Sequence, residues 1–355
     1  MTVFSSADFD QHEQIDFVFD QESGLRAIIA VHNTYLGPAL GGCRMHPYQS
    51  EQEAIRDVLR LSKGMTYKAA MAGVPLGGGK AVIIGDPRSD KSSQLFKAMG
   101  RFVDRQSGRY ITAQDMGITA DDLEQMATQT PYVSGVSRRD EPVKQVSRNP
   151  SPATAMGVFI GIEAAVRYQL KRDALEGIKV AIQGLGSVGY QLAGHLHRAG
   201  AKLWVSDINK EAEQRTALEF GATVVSAEEL LRLQVDVFSP CAMGAVINDE
   251  SVAVLGAKIV AGAANNQLME VKHGIDLFNK GILYAPDYVI NAGGIIDLYG
   301  FDQGRPEIET AERIKNIATT LEDIFVISAR KQRATHSIAN EQAEARFLHS
   351  SAGAT

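Results

Sequence analysis

Along the second half of the chain, short runs of β-branched and aliphatic residues alternate with longer stretches whose apolar positions recur every three to four residues. The runs fall at 178–182, 201–205, 222–225, 235–238, 258–261 and 281–284. Strand and helix in alternation predict a parallel, doubly wound sheet with helices packed on it. The helix ahead of the first run is expected to start at Pro152, which suits a first helical turn, and to continue through Val158, Ile162 and Val166. The first half is less regular. Ser50 and Glu53 have the spacing of a capping box ahead of an apolar face made by Ala54, Ile55, Val58 and Leu59, and Thr119 with Asp122 marks a second helix start. Strand-like runs at 27–31, 81–84 and 110–112 intervene, so this half is also α/β.

Length sharpens the picture: 355 residues exceed one ordinary core, and two α/β domains around a cleft are expected. The boundaries read as a first domain at 1–148, joined by a C-terminal helix in the region of 330–355, and a doubly wound, Rossmann-type domain at 149–329. The polar, proline-bearing stretch 138–152 is the candidate hinge. No stretch approaches the roughly 18 unbroken apolar residues of a membrane span. The acidic start (Asp8, Asp10, Glu13, Asp16) does not read as an export signal, so a cytoplasmic protein is expected. A net charge of −6 without a basic run leaves no electrostatic footprint for nucleic acid. Cys43 and Cys241 are too far apart for a disulfide framework or a short-spaced zinc site, and no metal is expected. The expected partners are small molecules and further copies of the chain, a dimer or larger.

After the run at 178–182 comes Gly184-Leu-Gly186-Ser187-Val188-Gly189, a G-x-G-x-x-G opening a helix. The first glycine permits the tight turn, the second lets backbone approach a pyrophosphate, and the third allows helix and strand to pack closely. The helix N-terminus then offers free N–H groups to the phosphates. Asp207 follows the next strand, where a carboxylate bonds the ribose hydroxyls and repels a 2′-phosphate, which favours NAD over NADP. A glycine turn with an unrelated strand-end aspartate is the competing explanation.

Lys68 and Lys80 flank the low-polarity stretch 69–76, and lysine is rarely buried without a partner. Lys68 could bind a substrate carboxylate, and its charge together with desolvation would let Lys80 serve as a base near neutral pH. Both lysines could equally snorkel to water from a flexible hairpin. Asp115, between a strand-like run and a helix start, suits a catalytic carboxylate or a plain turn aspartate.

Around these residues the chain resembles the leucine, phenylalanine and valine dehydrogenases of the glutamate dehydrogenase superfamily. The matching stretches are 37–45, 60–69, 76–80, 149–155, the glycine turn, 260–268 and 285–294. The resemblance implies NAD-dependent oxidative deamination of an L-amino acid to its 2-oxo acid and ammonia, and the reverse amination. It implies that Lys68 holds the α-carboxylate, helped by backbone around Gly41 and Gly78, that Lys80 activates the attacking water, and that Asp115 moves protons at the nitrogen. Thr154, Asn266 and Asn291 fall close to nicotinamide and substrate, and Ser187, Val188 and Asp207 contact the rest of the cofactor. It also implies a side-chain pocket lined by Leu40, Ala113, Ile295 and Leu298, whose bulk favours leucine, isoleucine and valine. The chain departs from the family at 136–148, where many members have a short glycine-rich connector. It departs again after Gly294, at Ile295-Ile-Asp-Leu-Tyr-Gly-Phe301, and in the tail beyond about Arg346. A phenylalanine or tryptophan dehydrogenase is the rival within this class, and a non-catalytic NAD-binding sensor is the rival outside it.

Overall fold

A computed structural model describes residues 3–136, 148–242 and 244–348. The chain divides into two compact units: one takes in Met1–Asn149, Phe301–Gly304 and Ala343–Thr355, the other Pro150–Gly300 and Arg305–Gln342. Most of the stretch expected to act as a hinge, residues 138–147 of 138–152, lies outside the described residues. Among the described residues no helix is long and apolar enough to cross a membrane.

In the first unit the elements run β1 (Gln14–Asp20), β2 (Leu25–Asn33), β3 (Ala39–His46), α1 (Glu51–Ala72), β4 (Gly77–Ile84), α2 (Ser93–Asp104), β5 (Tyr110–Gln114) and α3 (Ala120–Ala127). The sheet order is β1-β2-β4-β3-β5. Here β2 is antiparallel to β1 and β4, while β3 is parallel to both β4 and β5. The sheet is covered on both faces. Ala54, Val58 and Leu59 of α1 pack on Ile28, Ala30 and Val82, while Leu95, Phe96, Met99 and Phe102 of α2 join a core with Cys43, Met45 and Ile83. Each large apolar side chain so buried contributes about 1.5–3 kcal/mol, more than the ~1 kcal/mol cost of Gly64 inside α1.

The helix starts follow the expected chemistry with one difference. Thr119 and Asp122 form a complete capping box. Ser50 accepts from the Glu53 N–H at 3.2 Å, but the Glu53 carboxylate takes the Gln49 N–H instead of that of Ser50. At its other end α1 stops at Gly73, whose φ of 65° is in the left-handed region. There Arg346 donates to the carbonyls of Ala70 and Met71 at 2.8 and 3.1 Å, a cation placed on the negative end of the helix. Tyr67 adds a bond to Glu344 at 2.8 Å.

In the second unit α4 (Ser151–Leu170), with Pro152 in its first turn, leads to β6 (Lys179–Gln183), α5 (Ser187–Arg198), β7 (Lys202–Ser206), α6 (Lys210–Phe220) and β8 (Thr223–Val224). The chain continues through α7 (Ala227–Arg232), β9 (Val237–Pro240), α8 (Asp249–Val254), β10 (Ile259–Val260), α9 (Val271–Asn279) and β11 (Leu283–Tyr284). It ends in α10 (Asp287–Ile290), α11 (Gly293–Asp302), α12 (Glu307–Lys331) and α13 (Thr335–Leu348), the last crossing into residues grouped with the first unit. The sheet order β11-β10-β9-β6-β7-β8 is parallel throughout. After β8 the chain returns to the far side of β6, so the strand order reverses between β6 and β9. In such sheets a nucleotide binds at that switch point.

Candidate active site

Strand register puts Arg44 and Lys80 of the first unit on one face. Leu40 pairs with Gly78 and Gly42 with Ala113, and side chains alternate along a strand. Leu40, Gly42 and Arg44 of β3 therefore share a face with Gly78 and Lys80 of β4 and Ala113 of β5. This is also the face covered by α1, whose core includes Val82 of the same set.

Lys80 is not in a flexible hairpin: residues Gly77–Ile84 form β4, glycines included. Only 6 % of its side chain is exposed, and its ammonium is hydrogen-bonded to Asp115, directly after β5. Arg44 approaches the same carboxylate oxygen, with Nε 3.4 Å from Asp115 Oδ2. Burial by itself raises the Asp115 carboxyl, but Lys80 and then Arg44, with hydrogen bonds from Lys80 and the Met116 backbone, hold it well below the usual carboxylate range. Arg44 also binds Asp57 of α1 through Nη1 at 3.0 and 3.3 Å, and Tyr48 donates to that carboxylate at 2.6 Å.

The glycines are where backbone passes close to other atoms. A Cβ on Gly41 would stand 1.6 Å from the Gly79 carbonyl oxygen, and one on Gly78 would stand 2.0 Å from the Thr66 nitrogen. The second contact brings the backbone of α1, two residues before Lys68, against β4. Beneath them Tyr110 is buried and donates to the Gly41 carbonyl at 2.6 Å. Leu40 and Ala113 are buried in this unit; Ile295 and Leu298 are buried on α11 of the other.

In the second unit the turn after β6 has the geometry a pyrophosphate needs. Gly184 has φ +98°, and a Cβ there would collide with Ala242 at 2.7 Å. A Cβ on Gly189 would stand 2.0 Å from the Gly184 carbonyl oxygen, so the third glycine sets how closely α5 meets the strand. Gly186 is different: it is the N-cap of α5, and the space where a Cβ would be is open. Ser187 and Val188 form the first turn of that helix. Asp207, just past β7, is fixed by the Leu185 and Asn209 N–H groups at 2.5 and 2.7 Å. Lys210 is engaged by the buried Glu213 at 2.9 Å.

Asn291 is buried, and its amide nitrogen donates to the Ala263 carbonyl at 3.0 Å and to Asn265 Oδ1 at 2.8 Å. Among the described residues its side-chain oxygen has no hydrogen-bond partner, an unpaired buried acceptor that fits the amide N–H of a nicotinamide. Thr154 bonds the Pro150 carbonyl, and its hydroxyl would lie 2.6 Å from a Cβ on Gly294, so α4 and α11 cross closely there. Asn266 has φ +51°, a left-handed conformation for a residue other than glycine, and its carbonyl accepts from Ala245 at 2.7 Å. Sequence reasoning passed over Asn265, which holds Asn291, and gave Arg44, Asp57 and Tyr48 no role. Arg44 stands in the Gly41-Gly-Cys-Arg44 motif, where its even spacing from Gly42 was the available signal.

These features define an α/β dehydrogenase that uses a nicotinamide dinucleotide. Residues 11–132 match the model of the Glu/Leu/Phe/Val dehydrogenase dimerisation domain, and 147–210 and 204–345 match that of Glutamate/Leucine/Phenylalanine/Valine dehydrogenase. The chain is 49% identical over 351 residues to the leucine dehydrogenase of Bacillus cereus, covering 98% of this chain and 94% of that one. It is 46% identical to the L-tryptophan dehydrogenase of Nostoc punctiforme, over 99% of this chain and 97% of that one. The crystal structure of L-tryptophan dehydrogenase from Nostoc punctiforme superposes with a TM-score of 0.80, covering 97% of each chain. The chain belongs to the Glu/Leu/Phe/Val dehydrogenase family: it is an NAD-dependent amino acid dehydrogenase acting on the CH–NH2 group of its donor.

Proposed function

We propose that the enzyme oxidatively deaminates leucine, isoleucine and valine to their 2-oxo acids and ammonia, and catalyses the reverse amination. The observation that carries this reading is Leu40, a bulky, buried side chain on the same sheet face as Lys80 and next to the Gly41–Gly42 pair. Leu40 and Ala113 in the first unit, and Ile295 and Leu298 on α11 in the second, are each apolar and buried, and apolar side chains leave carboxylates and ammonium groups without compensation for lost hydration. The 49% identity to a leucine dehydrogenase supports the same choice. An assay of NADH formation with a panel of L-amino acids tests it; a higher specificity constant for tryptophan or phenylalanine than for all three aliphatic substrates overturns it. The likeness to the L-tryptophan dehydrogenase is what favours that second reading.

In this reading Lys68 pairs with the substrate carboxylate, which also takes N–H groups near Gly41 and Gly78. Asp115 receives a proton from the substrate ammonium, leaving the amine whose lone pair assists loss of hydride from Cα. NAD, when bound, supplies the hydride acceptor. Lys80 then takes a proton from the water that adds to the iminium carbon, Asp115 gives its proton to the carbinolamine nitrogen, and as ammonia leaves the carbinol O–H proton passes to the freed Asp115 carboxylate. Gly184, Gly186, Ser187, Val188 and Gly189 hold the pyrophosphate, Asp207 the ribose, and Thr154, Asn266 and Asn291 the nicotinamide end and the substrate.

A homo-oligomer belongs to the same proposal. Strand β1 is a sheet edge whose Phe17 and Phe19 are 56% and 69% exposed, and a seven-residue open edge with aromatic side chains invites pairing unless covered. A second copy is the cover we infer, and light scattering on Phe17→Lys and Phe19→Lys variants tests it. Two free thiols, Cys43 and Cys241, support placing the enzyme in the reducing cytoplasm.

A further inference from the structure

Arg44 is a buried cation with one half of its guanidinium committed and the other not. Its Nη1 is tied to both oxygens of Asp57, which Tyr48 also binds, so the side chain is held from α1 and from the end of β3. Its Nε is buried and makes no hydrogen bond among the described residues, yet it sits 3.4 Å from the Asp115 oxygen that Lys80 holds. An unbonded buried donor on a charged group is costly, and such exceptions need a reason.

The reaction cycle supplies one. While Lys80 is protonated, its charge stabilises the Asp115 carboxylate. A base must be neutral before it can accept a proton from water, and once Lys80 is neutral, a mostly buried carboxylate would be left to take up a proton from solvent. We propose that Arg44 is a positioning residue that acts through Asp115: anchored by Asp57, it keeps Asp115 ionised, and so able to accept the substrate proton, while Lys80 carries no charge. This rests on the roles given above to Lys80 and Asp115.

The other groups around Asp115 do not duplicate this function. Cys43 and Tyr110, on the opposite face of β3 and β5, and Tyr48, beyond Arg44, feel the Asp115 charge, and burial pushes the ionisation of all three upward, so they stay neutral. Asp57 of α1 and Asp122 of α3 are acidic, and Asp122 is paired with Lys91. Arg44 is therefore the permanent positive charge of this set, since a guanidinium does not lose its proton.

The test is the pH profile of kcat/KM for leucine deamination, whose acid limb reports the coupled Lys80–Asp115 pair. Removing a cation within hydrogen-bonding reach of a carboxylate raises its titration by about 1–3 pH units. Arg44→Met should move the acid limb upward by about one unit or more, Arg44→Lys should leave it near its original place, and Asp57→Asn should move it downward. The double variant Arg44→Met with Asp57→Asn leaves no unpaired buried charge. It should fold where the single variant fails and should still show the upward shift.

Lower activity in all these variants with an unmoved acid limb would mean that Arg44 merely ties α1 to the sheet, and would overturn the proposal. Asp115→Asn separates this from a failure of the reading beneath it. If that variant keeps near-normal turnover, the role of Asp115 falls and the inference with it; if it is inactive while Arg44→Met leaves the limb in place, the inference about Arg44 alone falls.

Discussion

Lys80 reaches Asp115 across an intervening strand: the lysine is on β4, the carboxylate follows β5, and β3 lies between them with Gly42 at the crossing. Gly42 pairs with Ala113 and faces the same side as both partners. A Cβ on Gly42 would stand 2.7 Å from Asp115 Cβ and 2.8 Å from the Gln114 carbonyl oxygen. The absent side chain is what lets the ion pair close. Gly42→Ala should therefore displace Asp115 and lower kcat by about 100-fold or more, the scale of losing a general acid–base group, while NADH binding is retained. Near-normal kcat in a folded Gly42→Ala enzyme would show that the pair tolerates the displacement.

Lys80→Ala removes the proposed base itself. We expect it to fold, to bind NADH and to lose deamination by about 100- to 10,000-fold. Lys68→Ala should behave differently, raising KM far more than it lowers kcat, because the carboxylate then enters the site without its cation. Steady-state kinetics on both variants separates the two roles; equal effects on kcat would contradict the division.

Much of this arrangement could be read from the sequence, and the exceptions share a cause. Five of the six strands of the second unit carry buried apolar residues in a parallel sheet, the exposed edge strand β8 being the exception, so they read as apolar runs, and the glycine turn follows the first of them. In the first unit β3 (Ala39–His46) and the start of β4 (Gly77–Ile84) were not legible as strands, because Gly41, Gly42 and Gly77 to Gly79 depress strand propensity. Those glycines are the positions where backbone passes against Thr66, Asp115 and its own neighbouring strands. Local rules fail where close approach is needed. Strand β1 was hidden differently: its alternation of Ile15, Phe17 and Phe19 with Gln14, Asp16 and Asp20 is interrupted by Val18, and it sits in a segment whose acidic residues dominate a compositional reading. The partners of Arg44 were beyond reach for a third reason, since α1 and the end of β5 bring Asp57 and Asp115 to it only in the folded sheet.

Asp207, proposed above to hold the ribose, has its oxygens oriented by two backbone N–H groups. Lys210 could have offset this charge, but it is held by Glu213. NAD should be strongly preferred over NADP, and Asp207→Ala should narrow the preference chiefly by raising turnover with NADP at subsaturating concentration. Equal kcat/KM with both cofactors in the unmodified enzyme would show that Asp207 does not face the ribose.

Stability should fall on the acid side because of His32. Its ring is 5% exposed, bonded to Thr66 Oγ1 at 2.8 Å and set edge-on to His12. Burial, and then His12, pushes its ionisation from 6.5 down to about 4, against the pull of Asp10. The unfolded chain therefore binds the proton more readily between those values. The stability is fully present above about pH 6.5, drains away as pH falls towards about 4, and amounts to at most about 3 kcal/mol. Urea midpoints measured across this range should drop for the natural enzyme and drop less for His32→Asn; parallel slopes would rule His32 out as the cause.

The substrate pocket gives the last prediction. Leu40 sits on β3 on the face shared with Lys80, one residue before Gly41, and Ile295 is in the first turn of α11. Both side chains are bulky and buried within their own units, and under the proposed function leucine, isoleucine and valine should be turned over ahead of phenylalanine and tryptophan. The margin is expected to be modest, because one methylene in an apolar pocket is worth about 1–3 kcal/mol. Leu40→Gly combined with Ile295→Ala should raise kcat/KM for phenylalanine relative to leucine by about 10-fold or more, with thermal unfolding confirming that the enlarged pocket still folds. Glutamate should remain a non-substrate in both enzymes, since neither substitution supplies a partner for a second carboxylate. If the ratio does not move, Leu40 and Ile295 do not bound the side-chain site. The segment Ile296-Asp-Leu-Tyr299, which continues the same helix with Asp297 buried, is then where specificity should be sought.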